Sequence, residues 1–325
     1  MPAVSILMVF HRDTPFFRPA IESALNQTWR DLELILVDNG TGISPDSLGA
    51  LGADPRLRWV RLQTNEGIPA GHNAGVAAAT GEFVGLLDYD DLAKPIRLER
   101  QVAMLRSRPD VGLVSALAER IDEEGRASGQ VFCLPRSEEH AVYSAYGGPV
   151  VLATALARRE VLAALPYRKE FPFAADLDFQ ARAAERIRML VMPEVHLSYR
   201  WYGAQTTQQR QRDIERSRSL IQLSTARRRA GRAEDLDRAL TETATYTAAA
   251  TWRHVGGICL REGYAEYAAY QARRSLACER SLPSAASAAR IAWEALRGTR
   301  GAEQLRVVRM FLRGPVRALR LNPAR

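Results

Sequence analysis

Three carboxylates stand within four residues at Asp88-Tyr89-Asp90-Asp91, directly after the apolar run Phe83 to Leu87. Like charges about 4 Å apart repel by on the order of 1 to 4 kcal/mol, so the cluster is costly unless a cation sits among its oxygens. A hard divalent cation takes carboxylate oxygens and draws diphosphate oxygens to the same centre. Other polar residues stand at the ends of apolar runs. His11 follows Val4 to Phe10, Asp38 and Asn39 follow Leu32 to Val37, and Asn65 and Gly67 follow Leu57 to Leu62. Acidic residues at two of these ends would repel a bare phosphate, which argues against a glycine-rich phosphate cradle, and a metal ion reverses that sign. The imidazole of His11 can stack on a flat ring. Asp38 can accept an N–H from a ligand, while "DNG" also reads as a strand-end Asx turn.

The elements that must position these residues alternate between strand and helix, the pattern of a mostly parallel sheet with helices on its faces. Val4 to Phe10 is apolar almost throughout, as a strand buried on both faces requires. Thr14 and Pro15 read as N-cap and first helical position before helical spacing at Phe17, Ile21, Ala24 and Leu25, and Ser44-Pro45 opens a short helix. Ile68 to Ala79 reads as a small-residue helix. Pro95 starts a helix with Leu98, Val102 and Leu105 on one face, and Val111 to Ala116 is a fifth strand. A hairpin is expected around Glu124-Gly125, a strand over Val150 to Ala157, a short helix over Arg159 to Ala164 and a strand over Val195 to Tyr202. In open parallel sheets ligands bind beyond the carboxyl ends of the strands, where the polar residues named above collect.

The segments "VSILMVFHRD", "SALNQTWRDLELILVDNG", "NEGIPAGHNAGVAAATGEFVGLLDYDD" and "FPFAADLDFQARAA" together resemble, in order and spacing, the family-2 glycosyltransferases of the GT-A fold, over about residues 4 to 207. The resemblance implies an α/β fold, and transfer of a sugar from a nucleoside diphosphate sugar to a hydroxyl acceptor with inversion, usually with Mg²⁺ or Mn²⁺. On that match His11 lies against the donor base, and Asp38 with Asn39 recognises it. Asn65, Gly67, His72 and Asn73 lie beneath the donor, Asp88 meets the ribose, and Asp90 and Asp91 hold the metal. Asp176 becomes the general base that deprotonates the acceptor. The chain departs from the family pattern at Ala175, where the family has Glu before that Asp. It departs again at Tyr202, where a His often stands, and at His72, where Arg is common. Asp178 is read equally as a helix N-terminal charge.

The chain has 325 residues, 46% hydrophobic and 25% charged, which excludes a disordered or collagenous protein. Cys133, Cys259 and Cys278 form no CxxC pair, so reduced, buried thiols are expected. No apolar run is long enough to span a bilayer and no cleavable leader is evident, so a cytoplasmic enzyme, at the inner membrane face, is expected. The net charge of +8 is uneven, with 23 Lys and Arg against 11 Asp and Glu from Gln208 to the end. A boundary near residue 207 therefore divides a transferase domain, 1–207, from a basic helical region, 208–325. There Gln208 to Arg232 and Ala233 to Gly263 read as long helices, and Tyr264 to Leu282 with Ser284 to Leu296 as a helical pair. Leu305, Val308, Phe311, Leu312, Val316 and Leu319 form an apolar stripe among arginines, a candidate surface helix for peripheral membrane association. The acceptor, a saccharide or a lipid-linked sugar, is expected to meet loops Arg136 to Pro149 and Gly203 to Gln211. Nucleic acid is not the expected partner. The rival reading is a catalytically degenerate sugar-nucleotide-binding protein whose basic helices bind a partner.

Overall fold

A computed structural model describes residues 2–132, 150–279, 282–300, 303–304 and 307–308. Cys133, the loop Arg136 to Pro149 and, apart from Val308, the apolar stripe Leu305 to Leu319 lie outside the described residues. The chain divides into two compact units, the first running to Gln205 and the second beginning at Thr206.

The first unit is built on one nine-stranded sheet. Its strands are β1 (Val4–Phe10), β2 (Leu32–Asn39), β3 (Leu57–Leu62), β4 (Phe83–Leu86), β5 (Leu92–Ala93), β6 (Val111–Ile121), β7 (Ala127–Phe132), β8 (Leu156–Arg158) and β9 (Arg188–Arg200). The order is β3-β2-β1-β4-β8-β6-β9-β5, with β7 added to β6. The parallel character is confined to β3-β2-β1-β4 and to the β6–β9 pair. β8 runs antiparallel to both β4 and β6, and joins the two halves into a mixed sheet.

The apolar run of β1 faces two cores in alternation. Ile6, Met8 and Phe10 join Phe17 and Ile21 of α1 (Phe17–Leu25) and Leu98 and Val102 of α3 (Arg97–Ser107). Leu7 joins Ile35 and Val37 on the opposite face, under α2 (Ile68–Ala78), with α4 (Arg159–Ala164) and α5 (Ala175–Ala183) beside it. The small residues of α2 permit its close approach. A Cβ at Gly71 would lie 2.4 Å from Val9 Cγ1, so that helix could not sit where it does with alanine there. The hairpin at Glu124-Gly125 forms, with Gly125 at φ +85°.

Several expectations are corrected. The helix after Pro15 begins at Phe17 with no side-chain cap, and Thr14 Oγ1 has no partner among the described residues. Val150 to Ala157 is not one strand. Leu152–Thr154 forms a 3-10 turn because Thr154 Oγ1 bonds the backbone of Ala116, and β8 starts only at Leu156. β9 starts at Arg188, seven residues before the expected Val195.

The second unit is helical: α6 (Thr206–Gln209), α7 (Gln211–Arg229), α8 (Leu236–Glu242), α9 (Ala248–Arg261), α10 (Ala265–Cys278) and α11 (Leu282–Arg297). The expected long helix Ala233 to Gly263 is two helices. Arg216 takes the carbonyls of Thr243 and Ala244, and Thr247 caps α9 by accepting from Ala250 N, so the chain turns between them. Gln271, fully buried, donates to Ser219 O and Gln222 Oε1, tying α10 to α7. Cys259 is buried as expected, but Cys278 is exposed; both are free thiols. Among the described residues no helix is long and apolar enough to cross a membrane.

Candidate active site

β4 ends at Leu86, and the chain turns through Asp88 to Asp91 before β5. Ligand oxygens of Asp88, Asp90 and Asp91 lie within 4.8 Å of one another. The turn is held from below and from the side. Arg200, 3% exposed at the end of β9, donates its backbone N–H to Asp91 Oδ1 at 2.8 Å and its Nε to Asp90 O at 2.9 Å. Its guanidinium also bonds the carbonyls of Asp122 and Glu123 and lies 4.4 Å from the Phe16 ring centroid. Arg97, 2% exposed, donates to the carbonyls of Leu86 and Ala155 and to Gln101 Oε1. It is a buried cation whose charge acts on Asp91 and Asp88 without pairing with either, and burial lowers its pKa to about 10.

All three carboxyls are pushed up. Burial is the chief cause for each, and Asp90 and Asp176 add to it at Asp88, while Asp88 and Asp90 add to it at Asp91. Asp88 keeps an exposed side chain, so solvent moderates its rise. Asp91 is 1% exposed, and its Oδ2 has no partner among the described residues. A buried carboxylate oxygen with no donor, beside two more carboxylates, suits a hard cation such as Mg²⁺ or Mn²⁺. Tyr202, which stands where the resemblance often has a histidine, donates its hydroxyl to Asp90 Oδ2 at 2.7 Å.

His11, past the end of β1, lies edge-on to Tyr89 with centroids 5.7 Å apart, and burial with the Arg12 charge lowers its pKa. Asp38 is 1% exposed and its oxygens are already engaged. Oδ1 accepts from Thr41 N and Thr41 Oγ1, both at 2.7 Å, and Oδ2 from Gly42 N at 3.1 Å. This is the Asx-type turn of "DNG", and it leaves Asp38 little capacity for an N–H from outside. Asn39 holds the neighbouring loop: its Nδ2 donates to Asn65 Oδ1 and Gly67 O, and its Oδ1 accepts from Glu66 N. Asn65 Oδ1 also accepts from Gly67 N. These two loops pack so closely that a Cβ at Gly40, φ +83°, would fall 2.3 Å from Asn65 N.

Asn73 is paired twice with the backbone of Tyr167, at 2.8 and 2.9 Å. The Tyr167 ring is stacked between His72 and Phe179, at 4.8 and 5.2 Å. Burial lowers the His72 pKa to about 4, so the imidazole is neutral near pH 7 and supplies no cation there. Tyr167 feels the charges of Asp176 and Asp88, which puts both carboxylates in its electrostatic neighbourhood.

Asp176 is exposed in the first turn of α5, and its charge acts on Asp88. Asp178 differs. It is fully buried, held by Arg168 and by Arg182 at 2.8 Å, and serves as the internal anion of that helix end. The site reading of Asp178 is therefore dropped. Arg12, Arg97, Tyr167 and Arg200 escaped the sequence reading. One signal was available for Arg97, which with Gln101 and Leu105 continues the apolar face of its helix at four-residue spacing.

A parallel half-sheet ending in convergent carboxylates, continued by a mixed half, defines an α/β fold of the GT-A type. Residues 5–163 match the model of glycosyl transferase family 2. The uncharacterized glycosyltransferase EpsJ of Bacillus subtilis is 36% identical over 104 residues, covering 31% of this chain and 29% of that protein. The succinoglycan biosynthesis protein ExoO of Rhizobium meliloti is 34% identical over 102 residues, covering 31% of this chain and 29% of ExoO. The chain thus matches under a third of either relative. S. aureus TarS 1-349 in complex with UDP-GlcNAc shares the fold, with TM-score 0.56 and 14% identity over 90% of this chain and 89% of that one.

Proposed function

We propose that the chain is an inverting glycosyltransferase that moves a sugar from a nucleoside diphosphate sugar to a hydroxyl of a saccharide or lipid-linked acceptor, in the synthesis of a cell-surface polysaccharide or glycolipid. The observation that carries this reading is the convergence of Asp88, Asp90 and Asp91, one oxygen orphaned, facing the charge of Asp176. Asp90 and Asp91 would hold Mg²⁺ or Mn²⁺, with Asp88 on the ribose side; such an ion neutralises the diphosphate as it departs. The acceptor oxygen attacks the anomeric carbon opposite the diphosphate, whose bond breaks with its electron pair going to the phosphate oxygen. The acceptor proton passes to Asp176, which is exposed and so accessible to a second substrate. His11 flanks the base. Asp38, Asn39, Asn65 and Gly67 shape the loops beside it, and Asn73 acts through Tyr167 beneath the donor, where His72 lends a neutral ring.

The same reading has the enzyme working in the cytoplasm, with the basic C-terminal region, 208–325, meeting an anionic membrane face. Tyr202 on Asp90, with Ala175 before the base, favours the degenerate reading as the alternative. A panel of nucleoside diphosphate sugars screened by thermal shift with and without Mn²⁺, followed by donor hydrolysis, separates the two. The transferase reading expects a Mn²⁺-dependent shift and slow release of free sugar. A shift without hydrolysis or transfer leaves the degenerate protein, and no shift with any donor refutes both.

A further inference from the structure

Arg12 is the first residue after His11 at the carboxyl end of β1, and three acceptors aim its side chain. Its Nε donates to the Tyr89 hydroxyl at 2.8 Å, and its Nη2 donates to Ala204 O at 2.8 Å and to the Tyr202 hydroxyl at 3.3 Å. All three are neutral, and among the described residues no carboxylate pairs with this guanidinium directly. The Tyr202 hydroxyl donates its own hydrogen bond to Asp90, which keeps Arg12 one residue away from the carboxylate cluster. Nη1 has no partner among the described residues, and the side chain is only half-buried.

The charge balance of a loaded site asks for such a group. Three carboxylates and a diphosphate together outweigh one divalent cation, and the excess grows when the bond to the sugar breaks and a phosphate oxygen takes the electron pair. Arg97 and Arg200 stand close by, but at 2% and 3% exposure they are sealed beneath the turn and cannot touch a ligand. His72 is held neutral by burial and supplies no charge. A guanidinium locked on two of its nitrogens leaves the N–H groups of Nη1 to make charge-assisted contact with a phosphate oxygen, in a position fixed before the ligand arrives.

We propose that Arg12 binds the diphosphate of the donor and stabilises it as leaving group, with Tyr89 and Tyr202 holding the guanidinium in place. The assignment rests on the donor-site reading above and adds to it a residue that neither the carboxylate cluster nor Asp176 supplies. The electron pair of the broken C–O bond ends on the phosphate oxygen, and Arg12 donates hydrogen bonds to the phosphate without giving up a proton.

The test is titration calorimetry of the full chain with Mn²⁺ alone, and with UDP and inorganic pyrophosphate at saturating Mn²⁺. Arg12→Gln is expected to weaken both phosphate ligands by at least about tenfold while leaving Mn²⁺ alone unchanged or slightly tighter. Arg12→Lys is expected to recover part of the loss, because the charge returns without the hydrogen bonds that hold the guanidinium in place. Thermal melts of the variants check that the fold is kept. Unchanged affinity of Arg12→Gln for both ligands overturns the assignment, and so does an equal loss of Mn²⁺ alone, which would make Arg12 a support of the turn. If the unaltered chain binds neither UDP nor pyrophosphate, the donor-site reading falls and this assignment with it. If it binds both and the variant does so equally, only Arg12 is wrong.

Discussion

The two edges of the parallel half-sheet treat their carboxylates in opposite ways. At the amino edge, Glu33 of β2 is 6% exposed and fully engaged. Its Oε1 accepts from Ser5 Oγ, Thr80 N and Thr80 Oγ1, and its Oε2 meets Arg58 at 2.7 Å. Despite burial, these donors lower its pKa. At the carboxyl edge, Asp88, Asp90 and Asp91 crowd one turn, their pKa values rise, and one buried oxygen has no donor. The contrast separates a structural anion from a ligand set. A carboxylate supplied with donors stabilises the fold as it stands, whereas one deprived of them stores a cost that a bound cation removes.

The largest effect expected on this contrast comes from the exposed carboxylate that faces the cluster. Asp176→Asn should bind donor with near-normal affinity yet lose turnover by at least about a hundredfold, since a positioned base contributes roughly 10²- to 10⁴-fold. Paired calorimetry and sugar-transfer kinetics read both quantities, and normal turnover would remove Asp176 from the mechanism. Asp178 could not replace it, because two arginines already hold that buried side chain.

Next come the two edges themselves. Asp91→Asn keeps the acceptor for Arg200 N and removes a crowded charge, so the metal-free chain should gain about 1 kcal/mol while its Mn²⁺ affinity falls at least about tenfold. Glu33→Gln should do the reverse, costing about 2 to 3 kcal/mol of stability and leaving Mn²⁺ binding unchanged. Denaturant melts alongside Mn²⁺ titrations decide it; a loss of stability in both variants would erase the distinction between the edges. The pH dependence has a definite sign at Glu33. Its folded pKa is lowered, so its contribution is present above the unfolded carboxylate value and is lost as pH falls through the folded one.

The effect at His72 needs no substitution to be read and appears only through pH. With a folded pKa of about 4 against an ordinary 6.5, the unfolded chain binds a proton that the folded chain refuses. Stability should therefore decline as pH falls from 6.5 toward 4, by on the order of 1 to 3 kcal/mol. His72→Phe preserves a ring against Tyr167 and should flatten that part of the profile. An unchanged slope in melts over this range would show that His72 titrates normally.

Much of the site was legible because it depends on short-range spacing. Asp88, Asp90 and Asp91 share one turn, and Asp38, Asn39, Asn65 and Gly67 stand where apolar runs stop. What these residues do was less legible. Asp38 can be read as an open acceptor until Thr41 and Gly42 are found on its oxygens. Asn73 looks like a ligand-facing amide until its pairing with Tyr167, 94 positions away, is seen. The long helix expected over Ala233 to Gly263 broke for the same reason, since Arg216 of another helix takes the carbonyls at its turn.

The sequence by itself determined the strand-and-helix alternation, the apolar strands buried on both faces and the positions of the acidic turn, because each follows from periodicity and side-chain chemistry over a few residues. Only the tertiary structure decided which charged groups are satisfied and which are poised. Glu33 and Asp91 are similar carboxylates on similar strand edges, and what divides them is whether distant segments bring donors to both oxygens or to one. Arg58 and Thr80 reach Glu33, and Tyr202 reaches Asp90, but no described residue reaches the second oxygen of Asp91. A donor from far along the chain leaves no local pattern, so the free energy it contributes is invisible until the chain is folded.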